Sequence, residues 1–242
     1  MAVMGCFLNV AVVLDETGVV ANAAYIAGNN WHEWVRATGG YYYKYGSSLL
    51  YIPIMAAFNN PYIIYKLILV VNAALIAVVP VCAYRILWRH LEAGDRRLCV
   101  YTAFAVGIVP SSILFSLSAK ADVALIVWGW VLLLVMLECV EETNALRQII
   151  LSVLTAAISV YIYMCHTRGI VFVIAAFMTV LVICFVLKKR SFRFLPYTYS
   201  LVLCMLLDKK LTRYFKVNIW GTKKLKNTAD SIKLEKYKKI PT

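Results

Sequence analysis

Acidic residues are scarce in this chain. Asp and Glu total 12 of 242 residues against 25 Lys and Arg, and charged residues make up only 15%. Soluble domains carry about 25% charged and about 45–50% apolar residues. Here 62% of residues are hydrophobic and the mean hydropathy is +0.76. Those values exclude both an ordinary soluble domain and a disordered chain. Paired cysteines are also lacking. Cys6, Cys82, Cys99, Cys139, Cys165, Cys184 and Cys204 all sit in or beside apolar runs, and no two form a CxxC. That argues against a zinc cluster or a disulfide framework and fits small apolar core residues. The first apolar run, Met1–Leu14, has no basic region before it and no small-residue cleavage pattern, so it is a poor signal peptide. It reads as the outer half of a helix whose start is missing. There is no internal repeat and no low-complexity linker.

What the chain does have is long apolar runs. A membrane span needs about 20 apolar residues at 1.5 Å rise each. Spans are expected at Tyr62–Trp88, Leu98–Ala119, Val123–Val140, Gln148–Thr167 and Gly169–Leu187, with a fourteen-residue run at Phe194–Leu207. Their interiors show no two-residue alternation, so the reading is helices rather than a barrel. With the first run, this gives an all-α, polytopic transmembrane bundle of about seven spans over residues 1–207. Residues 208–242 form a basic tail, and residues 15–61 a long outer loop. Dense aromatics in that loop, among them Trp31 and Trp34, suit a membrane interface. Ser47–Phe58 is apolar but too short to span, hence re-entrant or interfacial.

The net charge of +13 would fit nucleic acid, but its placement does not. Eleven of the 25 basic residues lie between Lys209 and Lys239, and most others flank apolar runs. Nine form one set: Arg85, Arg89, Arg96, Arg97, Arg147, Lys188, Lys189, Arg190 and Arg193. The opposite loops carry five: Arg36, Lys44, Lys66, Lys120 and Arg168. The nine mark the cytoplasmic side, so Asp15, the aromatic loop and the turns at Lys120–Asp122 and His166–Arg168 face outward. The basic tail would obey the rule only if Phe194–Leu207 did not cross.

Ionisable groups beside hydrocarbon are costly unless paired or hydrated. Several such groups crowd the outer turns, where they could share one cavity. The plain alternative is that they cap helices and meet headgroups. Asp15-Glu16 is the sharpest pair. Adjacent helical residues point about 100° apart, so the two would not share a proton but could hold separate roles, one as a base. Ending a helix at the interface is the plain reading of the same dipeptide.

Asp15-Glu16 after a first apolar run, then Tyr41-Tyr42-Tyr43-Lys44-Tyr45-Gly46-Ser47-Ser48-Leu49-Leu50-Tyr51-Ile52-Pro53, resembles the GT-C superfamily of membrane glycosyltransferases. The nearest branch is that of protein O-mannosyltransferases and the lipid A aminoarabinose transferase. Phe115–Asp122 and His166-Thr167-Arg168-Gly169 are similar to later outer turns of that group, and the resemblance covers roughly residues 1–190. It implies a GT-C-like bundle whose first outer loop carries interfacial helices. It also implies transfer of a sugar from a polyprenyl-phosphate donor to an acceptor hydroxyl, with inversion and without a cofactor. By that resemblance Asp15 is the catalytic base, with Glu16 beside it. Lys44 holds the lipid phosphate, a point-charge task suited to lysine. Lys120, Asp122 and Arg168 are further binding candidates, and His166 ranks below them. No metal site is assigned. The expected partners are the donor lipid, the membrane and an acceptor glycan, lipid or protein, but no nucleic acid. The expected location is a cell membrane, with a bacterial cytoplasmic membrane favoured over the endoplasmic reticulum. GT-C enzymes usually have more spans, so the chain reads as an N-terminal portion or a reduced relative. In that family a span near this position leads to a large outer loop or further spans, which favours an outward crossing of Phe194–Leu207. The alternative is a non-catalytic transporter or lipid-binding scaffold. A transporter should carry mid-span charges and paired broken helices. Pro80 and Pro110 lie within spans here, but neither has a mid-span charge beside it.

Overall fold

The computed structural model describes residues 14–29, 31, 44–91, 94–186 and 193–215. Met1–Val13, residues 32–43, Lys188–Arg190 and the tail from Lys216 lie outside them, so the first apolar run, read above as part of a helix, Trp34, Arg36 and most of the basic tail are not described. Among the described residues there are helices and no strand.

The chain first forms α1 (Leu14–Ile26), a helix within the segment read as a long loop carrying interfacial helices, at a place its polar composition does not mark. Its inward residues Val19, Ala21, Ala23 and Ala24 are all buried. Gly28 closes it at φ +92°, with its own amide bonded to the Tyr25 carbonyl and the Asn29 amide to Ala24. That left-handed cap suits glycine. Two short helices follow, α2 (Gly46–Leu49) and α3 (Ile52–Ala57), neither long enough to span, as expected for Ser47–Phe58.

The long helix α4 (Pro61–His90) starts where Asn60-Pro61 dictates. The Asn60 side chain accepts from the amides of Tyr62 and Ile63, and Pro61 needs no amide partner at the first helical position. Then come α5 (Arg96–Gly107) and α6 (Pro110–Ser116), which meet at 54°. The sequence places one span over Leu98–Ala119 with Pro110 inside it. Proline breaks it: Pro110 drives Val109 to an extended ψ of 133°. The remaining helices are α7 (Asp122–Glu141), α8 (Ala145–Cys165), α9 (Thr167–Phe185) and α10 (Phe194–Tyr214).

Four helices, α4, α7, α8 and α9, are long and apolar enough to cross a membrane, and the bent pair α5–α6 makes a fifth if it is one span. Their outward faces are apolar, with Val81, Phe104, Leu114 and Val171 exposed, a belt that hydrocarbon would cover. Helix α10 continues seven residues beyond the apolar run that ended at Leu207, through Asp208, Lys209, Lys210 and Arg213.

Helix α8 is the central element, packed on α7, α9 and α10. Toward its neighbours it buries small and polar residues: Gln148, Ser152, Thr155, Ala156 and Ser159. The hydroxyls donate to carbonyls of their own helix, Ser152 to Gln148 and Thr155 to Leu151. They therefore need no outside partner, and their small size lets helices approach closely. At the start of α10, the Arg193 Nε donates to the Gln148 side chain at 3.1 Å. At its far end Phe215 stacks on Tyr45, with Met164 packed alongside. So α8 and α10 run side by side in the same direction. At 1.5 Å per residue, each covers about 30 Å.

Candidate functional site

One end of the bundle collects most of the residues singled out from the sequence. Helix α1 lays Val19, Ala23 and Ala24 against Tyr51, Met55, Tyr65, Ile68, Ala119 and Ala121. Thus α1, the segment 44–57, the start of α4 and the α6–α7 turn share that end. The segment 44–51 is locked into place by buried polar bonds. The Tyr51 hydroxyl donates to Asn72 Oδ1 at 2.7 Å, and Asn72 Nδ2 donates to the Ser118 carbonyl at 2.7 Å. The Tyr161 hydroxyl donates to the Gly46 carbonyl at 3.1 Å.

Gly46 is where this segment meets α8 backbone to backbone. A Cβ there would stand 2.6 Å from the Met164 carbonyl carbon and 2.7 Å from the Cys165 nitrogen. Neither atom can move without shifting the helix. Gly46→Ala should therefore cost about 1–3 kcal/mol. A lower midpoint of thermal unfolding in detergent would report it, and an unchanged midpoint would refute the tight contact.

Lys44 is held at this end by two groups. Its ammonium lies 3.8 Å from Asp208 Oδ2 and 3.2 Å above the centre of the Tyr163 ring. Its side chain is 12% exposed and that of Asp208 7%. Tyr45 donates its hydroxyl to Asp208 Oδ1 at 3.3 Å, and Thr212 donates to the same oxygen at 3.4 Å. Burial, with the Asp208 charge beside it, pushes the Tyr45 phenol up from its ordinary range, so it stays a neutral donor.

The two remaining turns at this end meet each other. Arg168 Nη1 lies 3.7 Å from Asp122 Oδ1, with Arg168 largely exposed. Asp122 opens α7 as its first residue, where a carboxylate suits the helix dipole. His166 serves as a cap, its Nδ1 accepting from the Arg168 amide at 3.1 Å. Lys120, half-buried in the α6–α7 turn, makes no ion pair among the described residues. Asp15 and Glu16 lie in the first turn of α1, one turn before Val19, and their side chains are outside the described residues. The structure thus gathers Lys44, Lys120, Asp122 and Arg168 at one end, along with the helix that carries Asp15 and Glu16. It pairs Arg168 with Asp122, but Lys44 with a residue that sequence reasoning passed over. Asp208 is visible in the sequence only as the acid that follows Leu206-Leu207.

Among the described residues no cluster of His, Cys, Asp and Glu could hold a metal ion. The six described cysteines are free thiols. No family model matches the chain, and neither does any curated protein or solved structure. The class that stands is an all-helical bundle with four or five helices of membrane-crossing length and an ionisable, aromatic cluster at one end.

Proposed function

We propose that this chain is a membrane glycosyltransferase of the GT-C kind. It takes a sugar from a polyprenyl-phosphate donor on the outer face of a bacterial cytoplasmic membrane. Asp15 removes the proton of an acceptor hydroxyl, and the oxygen attacks the anomeric carbon. The bond from that carbon to the phosphate oxygen breaks, and the polyprenyl phosphate leaves with both electrons. Lys44 neutralises the phosphate, and Arg168, Lys120 and Asp122 line the approach.

One observation supports this reading best. Outer turns far apart in sequence converge on one end of an apolar bundle, while Arg85, Arg89, Arg147 and Arg193 gather at the other. A surface reaction on a lipid-borne anion needs that division; a translocation path would need ionisable groups at mid-depth. Helix α10 runs the full length of α8, which supports an outward crossing.

The test is labelling of single cysteines at positions 15 and 209–215, in a cysteine-free background in intact cells. Both are expected to react with an impermeant maleimide. A shielded position 15 would remove the donor-site argument. A labelled position 15 with a shielded α10 end would leave Asp208 and Lys44 unable to share a face. Transfer from a polyprenyl-phosphate sugar, assayed with the same protein, then decides between the enzyme and a non-catalytic scaffold.

A further inference from the structure

At the opposite end of the bundle most arginines already have partners. Arg85 and Arg89 reach Glu138 at 2.8 and 3.0 Å, and Arg147 lies 3.8 Å from Glu142. Arg193 donates to Gln148. Arg96 and Arg97 differ. Both are exposed, and neither guanidinium has a partner among the described residues. They border an open recess of about 440 Å³ lined by Asp95, Arg96, Arg97, Val100 and Tyr101. Asp95 is the one acid of that lining, and it is turned toward the backbone, accepting the Arg97 amide at 2.8 Å. The lining therefore keeps a net positive charge.

The surface below the arginines is apolar. Val100 stands four residues after Arg96 and Tyr101 four after Arg97, so they share a helix face with them. Phe104 follows one turn further on. These three are 49%, 70% and 62% exposed. A cationic fork thus stands directly above a bare apolar and aromatic strip. That combination fits a ligand of two parts, an anionic head and an apolar tail. Guanidinium groups bind phosphate oxygens through paired hydrogen bonds. Helices α5 and α6 together have the length and composition of a bent span. Their first turn therefore stands where the chain enters the apolar layer, at the level of lipid phosphates.

We infer that this recess is a binding site for an anionic phospholipid, with its phosphate between Arg96 and Arg97 and an acyl chain along Val100, Tyr101 and Phe104. Free phosphate is disfavoured as the occupant, because it would meet the cationic fork and make no use of the apolar strip joined to it. The inference does not depend on the glycosyltransferase reading, since it concerns the other end of the bundle.

The test is native mass spectrometry of the full chain titrated with phosphatidylglycerol or with phosphatidylcholine. The wild type is expected to retain phosphatidylglycerol in preference. R96Q/R97Q should weaken that binding about thirtyfold, from the usual contribution of two basic residues near an anionic surface. R147Q, which removes an arginine already paired, should change it less than twofold. Tyr101→Glu offers a second variant at an exposed position; it sets a like charge against the phosphate and should weaken binding as well. The site is overturned if R96Q/R97Q or Tyr101→Glu binds phosphatidylglycerol like the wild type. It is also overturned if R147Q loses as much, if phosphatidylcholine binds equally, or if millimolar inorganic phosphate displaces the lipid.

Discussion

Asp15→Asn is expected to lower sugar transfer by about 10²–10⁴-fold, the usual contribution of a positioned general base. Asparagine keeps the shape of the side chain and loses only the capacity to take a proton. Folding should be nearly untouched, because the substitution conserves size and leaves the described buried residues of α1, Val19, Ala21, Ala23 and Ala24, unchanged. The measurement is kcat with a polyprenyl-phosphate sugar, alongside donor affinity and the thermal midpoint. A base needed only in the transition state should depress kcat and leave donor affinity almost unchanged. Parallel loss of the thermal midpoint would assign Asp15 to structure instead. Retained transfer would place the base elsewhere, with Glu16 the first alternative.

The long helices were legible because each is built around an uncharged run, and two of them have a chemical start signal. Asn60-Pro61 starts α4 and Asn144 starts α8, and both asparagines cap the amides that follow. The spans at Leu98 and Val123 were read as starting after the charges that precede them, yet Arg96 begins α5 and Asp122 begins α7. An end turn can lift a charge to water while its backbone stays helical, so hydropathy alone trims such ends. The break at Val109-Pro110 was visible as a proline, but its angle was not, since prolines within spans can also leave a helix nearly straight. Pro80 interrupts α4 only at Ala77, and the helix continues past it to His90. The resemblance implied helices in the 15–61 loop, but the bounds of α1 were not legible, because its buried residues are small and polar ones are mixed among them, leaving no apolar run. The site was legible as a set of outer turns and not as pairs. Arg168 with Asp122 joins two turns that sequence reasoning had already placed on one face. Lys44 with Asp208 joins residues far apart along the chain, and no local pattern announces such a contact.

That second pair sets the other large expectation. Asp208→Ala should destabilise the fold by about 3–5 kcal/mol, because it takes a buried lysine's counter-ion away without replacing it. Both side chains are nearly buried, so solvent screens little of the effect. The loss should be larger than the charge alone implies, since Tyr45 and Thr212 also lose their acceptor. K44M/D208N removes both charges and keeps an amide oxygen for those two hydroxyls. Neutral replacement of a whole buried pair is often close to neutral in stability, so this double variant should unfold near the wild-type midpoint in detergent. Stability and function then separate. If Lys44 holds the donor phosphate, the folded double variant should bind that lipid about tenfold to a hundredfold more weakly, the loss of one hydrogen bond to a charged group. Donor affinity equal to wild type would make the pair a tie between the 44–51 segment and α10, and would remove Lys44 from the site. If the double variant is as unstable as Asp208→Ala, the charges themselves are needed to seat α10 against Tyr45, and donor binding must then be tested with Lys44→Arg, which preserves the charge.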